Sequence, residues 1–73
     1  MNHKIRINYR HAGSTYVEYV ECIVIGHGSG GMATALDVAF ESLPEKVDSD
    51  CTIVGANCTV LESDSDTTSV IWV

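Results

Sequence analysis

A chain of 73 residues with ten Asp and Glu against four Lys and Arg carries a formal net charge of −6. It is long enough for one domain, which buries only about 60% of the surface that its unfolded form exposes. A core of that size leaves little room for a pocket of about 300–1,000 Å³ with convergent polar groups, so length alone favours a binding module over an enzyme.

The charge is unevenly placed. Lys4, Arg6 and Arg10 all lie in the first ten residues, which leaves one lysine against ten acids on the rest. Such a field repels nucleic acid, whose binding requires cations, and favours a basic protein surface. Cys22, Cys51 and Cys58 form an odd set at wide spacing with no charged-then-apolar leader before them, the usage expected of a reducing cytosol. Glu18, Glu21 and Gly26 interrupt the longest apolar stretches, so no membrane segment is expected.

In chain order, Ile5, Ile7 and Tyr9 alternate with Lys4, Arg6, Asn8 and Arg10, the period of a half-buried strand. Its charged face predicts an edge position. His11 to Ser14 supply a turn and residues 15–25 a second, Val- and Ile-rich strand, so the two read as a hairpin. Met32, Leu36, Ala39, Phe40 and Leu43 then recur at steps of three and four, which predicts one amphipathic helix with Ser29 as its N-cap and Pro44 as its stop. After a polar connector over 45–50, residues 51–54 and 58–61 flank Gly55-Ala56-Asn57, either as two strands or as one long strand with a bulge. A last strand over 68–73 follows the Ser/Asp/Thr run.

The expected fold is therefore α+β: an antiparallel sheet of four or five strands with one helix on one face, in ββαββ or ββαβββ order. The second strand is apolar on both faces, with Tyr16, Val20, Cys22 and Val24 on one and Val17, Tyr19, Ile23 and Ile25 on the other. That double-sided pattern raises a structural homodimer as an alternative role.

Gly26, Gly28 and Gly31 between an apolar strand and the helix resemble the G-x-G-x-x-G turn of Rossmann dinucleotide-binding units, which implies pyrophosphate binding at the helix start. The resemblance covers a fifth of the chain, and the acid that would hold a ribose, Glu62, lies 31 residues past Gly31 instead of about 20 beyond it. A nucleotide- or anion-binding fragment is the lesser alternative, and no cofactor is expected. The histidines and cysteines form no C-x-x-C or H-x-x-x-H pair, so spacing predicts no metal site. Asp64-Ser65-Asp66 opens like a calcium loop but lacks the later Gly and Glu.

The acids carry the leading expectation. Asp37, Glu41 and Glu45 step by four along the helix and just past it, Asp48 and Asp50 follow, and Glu62, Asp64 and Asp66 add a second group. These eight residues are the candidate contacts to a basic partner, with Tyr16, Tyr19 and Trp72 as candidate apolar anchors. In size, acidity and element order, and in the stretch Thr52 to Leu61 after a glycine-rich turn and an alanine-containing helix, the chain resembles small phage-encoded anti-CRISPR proteins. The resemblance implies a cytoplasmic inhibitor of a nucleic-acid-handling complex in a bacterial host; that group shares no motif, so it transfers no residue roles.

Overall fold

The computed structural model describes residues 2–26, 31–61 and 69–73. Strands β1 (Asn2–Arg10) and β2 (Glu18–Ile25), helix α1 (Gly31–Glu41), and strands β3 (Thr52–Leu61) and β4 (Ser69–Trp72) follow one another in ββαββ order. They form one four-stranded sheet in the order β3-β1-β2-β4, antiparallel at every neighbouring pair. Since β2 and β3 both oppose β1, they run parallel to each other with β1 between them. The helix thus makes a split β-α-β crossover, unlike a Rossmann unit, in which the two parallel strands are neighbours.

The first turn has a specific cause. The Ser14 amide donates to the His11 carbonyl at 3.0 Å, and Gly13 at the third position has φ +80° while no non-glycine residue among the described residues has a positive φ. That combination is a type II turn, which favours glycine at this position. Ser14 Oγ then accepts from the Tyr16 amide at 3.1 Å. Past the helix, Gly55 lies within one strand: Asn8 faces Gly55 and Tyr9 faces Ile53, so Val54 is the extra residue of a bulge.

The alternation of β1 places Ile5, Ile7 and Tyr9 under the helix with Val20, Cys22 and Val24 from β2, Ala35 and Ala39 from α1, and Val47 from the following loop. Opposed residues share a face, so Cys22 and Cys58 flank Ile5 on that side of the sheet. His3 is buried on the same face, opposite Val24 and Val60.

Two sequence expectations require correction. β1 is a central strand, bonded to β2 on one side and β3 on the other; its cations mark the sheet face left open by the helix, because side-chain alternation reports faces and not edges. The helix ends at Glu41, two residues before Leu43, with the Ser42 amide on the Ala39 carbonyl and Ser42 Oγ donating to the Val38 carbonyl at 3.0 Å. Its buried centre is Ala35 and Ala39, with Leu36, Val38 and Leu43 partly buried around it, while Phe40 is 38% exposed. Two small residues one turn apart let the helix backbone approach the sheet closely, which rotates the heavier Phe40 away from the contact. The expected N-cap, Ser29, lies outside the described residues.

Candidate functional site

Three constellations arise from this framework. The first is the acidic side. Asp37 and Glu41 stand one turn apart on α1, and Glu45, Asp48 and Asp50 occupy the connection that brings the chain back to β3; all five are exposed. Among the described residues, none of the five forms an ion pair with a Lys or Arg, and Lys46 is the only cation in that segment. Asp48 differs from the others in that its Oδ1 accepts the Asp50 amide at 3.0 Å and approaches Cys51 Sγ at 3.5 Å. Glu62, Asp64 and Asp66 lie outside the described residues.

On the opposite face of the sheet, Glu21 engages two of the three cations of β1. Lys4 Nζ lies 3.2 Å from its Oε2 and Arg6 Nη2 lies 3.5 Å from its Oε1. Arg6 sits directly opposite Glu21 and Lys4 one diagonal step away, the spacing at which cross-strand ion pairs form. The hydrogen bond from Lys4, supported by the charge of Arg6, holds the Glu21 carboxyl below its ordinary value. Arg6 also stacks over Tyr19, with its guanidinium carbon 4.3 Å from the ring centroid. Lys4, Arg6 and Glu21 line, with Asn57 and Thr59 of β3, a shallow depression of about 240 Å³, smaller than an ordinary ligand pocket of about 300–1,000 Å³.

The third constellation joins residues distant in sequence. Cys51 Sγ lies 3.2 Å from His11 Nδ1, 40 residues away, and His11 Nε2 lies 3.2 Å from Glu18 Oε2. The Tyr9 ring meets the imidazole edge-to-face at a centroid distance of 5.5 Å. Burial, together with the charges of Glu18 and Cys51, raises the Tyr9 phenol above its ordinary value. The order thiol, imidazole, carboxylate is that of a nucleophile relay. Yet desolvation, with the nearby Asp48 and Asp50 carboxylates, holds the Cys51 thiol above its ordinary value, the opposite of nucleophile activation. Local spacing gave no sign of this cluster, because only the β1–β3 pairing brings the His11 turn and the start of β3 together.

The aromatic candidates separate by environment. Tyr16 is 78% exposed, Tyr19 lies under Arg6 on the open face, and Trp72 packs partly buried against the core opposite Cys22. Of the glycine turn, Gly26 has φ +77° and its amide donates to Asn2 Oδ1 at 3.2 Å; Gly28 lies outside the described residues, and Gly31 begins the helix. No helix among the described residues is long and apolar enough to cross a membrane.

These features define a class no narrower than a small α+β domain with one acidic side and one sheet face on which Glu21 engages Lys4 and Arg6. No family model matches the chain, and neither a curated protein nor a solved structure does.

Proposed function

We propose that the protein is a non-enzymatic interaction module whose acidic side docks on a basic surface of a nucleic-acid-handling protein complex, a CRISPR effector being the leading candidate. One observation carries this reading. Asp37, Glu41, Glu45 and Asp50 project from the helix and its exit without Lys or Arg partners among the described residues, whereas Lys4 and Arg6 are held by Glu21 on the other side of the sheet. The negative charge of the helix side is thus not offset locally. An uncompensated anionic surface raises the encounter rate with a cationic one and resists nucleic acid itself. Like charges at i and i+4 cost the helix about 0.2–0.5 kcal/mol per pair, so the placement of Asp37 and Glu41 does not serve helix stability.

A tagged pull-down from bacterial lysate containing an active effector complex, eluted in salt steps, tests the reading. The expected result is stoichiometric recovery of a basic subunit that is released as salt rises. Failure to recover such a complex, with effector present and active, overturns it.

A second reading, a structural homodimer, is favoured by one specific feature. β3 is an edge strand of ten residues without a charge or proline, and Ile53, Val54 and Val60 on it are exposed. Natural edges of that length are ordinarily protected by lysine, proline or a covering element. A mass by light scattering of twice the chain mass that falls to one on placing lysine at Val54 or Val60 supports pairing through β3; a monomeric mass removes it.

A further inference from the structure

We propose that His11, Asp48 and Cys51 form a binding site for a single zinc-class divalent cation, which clips the turn after β1 to the entry of β3. The three ligand atoms, His11 Nδ1, an Asp48 carboxylate oxygen and Cys51 Sγ, all lie within 4.8 Å of one another. Zinc bonds of about 2.3 Å to sulfur and about 2.0–2.2 Å to nitrogen and oxygen, at tetrahedral angles, set ligand-to-ligand separations of roughly 3.4–3.6 Å. The observed Sγ to Oδ1 distance of 3.5 Å matches one edge of that tetrahedron, and the Sγ to Nδ1 distance of 3.2 Å is a few tenths of an ångström short of another. The third edge, between His11 Nδ1 and the carboxylate of the exposed Asp48, spans at most 4.8 Å.

The second observation is the far side of the imidazole. Glu18 Oε2 sits 3.2 Å from His11 Nε2, a placement that suits the tautomer with its proton on Nε2 and the Nδ1 lone pair toward Cys51. A carboxylate on the distal nitrogen is the usual support of a metal-bound histidine, where it fixes the tautomer and strengthens the ligand. The Tyr9 ring, itself buried, walls the imidazole on a further side.

The donor set identifies the metal class. One thiolate, one imidazole and one carboxylate suit zinc and exclude calcium and magnesium, which take oxygen ligands. Binding displaces the Cys51 proton and places a dication among Asp48, Asp50 and Glu18, which reverses the electrostatic penalty on the thiolate. Three protein ligands leave the fourth position to water. Because His11 and Cys51 are 40 residues apart, the clip constrains a long stretch of a small domain, where a metal commonly supplements a limited core.

Cobalt(II) added to the reduced, metal-stripped full chain is the direct probe. One equivalent is expected to produce a thiolate-to-cobalt charge-transfer band with intense visible bands of a tetrahedral ion, both displaced by zinc. Cys51→Ser abolishes the charge-transfer band, Cys58→Ser retains it, and Glu18→Gln weakens zinc binding by about 10–100-fold. Zinc also raises the urea midpoint of the unaltered chain and leaves that of Cys51→Ser unchanged, with circular dichroism establishing that the variant is folded. Absence of the band in the unaltered chain, its survival in Cys51→Ser, or its loss in Cys58→Ser overturns the proposal.

Discussion

Replacing Ile5 with alanine probes the packing that fixes the acidic helix on the sheet. Ile5 is fully buried, has Cys22 and Cys58 as its cross-strand neighbours, and belongs to one buried cluster with Ala35 and Ala39 of the helix. Truncating a buried aliphatic side chain to alanine costs about 2–5 kcal/mol, more where the surroundings cannot collapse into the cavity. Its two cross-strand neighbours are both Cys, too short to extend into the vacated space, which places the expected cost near ~4 kcal/mol. A domain of this length has roughly 4–11 kcal/mol of total stability. Ile5→Ala should therefore remove at least a third of it, a fall in urea midpoint of about 3 M for a slope near 1.3 kcal/mol/M. Val54→Ala on the exposed edge is the control and should change stability by no more than about 0.5 kcal/mol. A midpoint shift below about 1 M for Ile5→Ala, with an unchanged slope, refutes the packing of α1 on this face.

Further outcomes follow from the charges and thiols. Because Lys4 and Arg6 depress the Glu21 carboxyl, its ionised form stabilises the fold above the unfolded value, and that contribution is lost as pH falls through the lower folded value. Glu21→Gln should accordingly lower the urea midpoint at pH 7 and leave it closer to that of the unaltered chain near pH 3; an equal difference at both pH values contradicts the linkage. Burial, with a smaller effect of Cys58, pushes the Cys22 thiol up to about 11. An aromatic disulfide reagent at pH 8 should titrate the half-buried Cys51 and Cys58 in the native chain and Cys22 only after denaturation. Rapid reaction of all three thiols would show that the core opens.

Much of this architecture was legible in the residues themselves. Strict alternation over Ile5, Ile7 and Tyr9 gave the buried face of β1, and the 3–4 spacing before Pro44 gave the helix; the choice of ββαββ over ββαβββ order came with the structure, in which residues 52–61 are one bulged strand. The central place of β1 was not legible, since a polar face looks the same on an edge strand and on an inner strand whose other face is covered. The helix stripe was legible only in part: it included Ala39, which is fully buried, but also Phe40, which is 38% exposed, and it left out the equally buried Ala35. The acids were visible as residues, and the fold added the exposure of Asp37, Glu41, Glu45, Asp48 and Asp50 and the contrast with Lys4 and Arg6, which Glu21 engages. His11 and Cys51 had no local signal, because only strand pairing brings together positions 40 residues apart.

The most direct measurement of the proposed function is the affinity of the unaltered chain and of Asp37→Lys/Glu41→Lys for the isolated basic subunit, each over a series of salt concentrations. Both positions are exposed on the helix, so circular dichroism should show the variant folded. The expected result is a loss of about 2–3 kcal/mol in binding, roughly 30–150-fold, with a flatter dependence on salt. Equal affinities with the same salt slope would contradict an acidic docking surface on this helix.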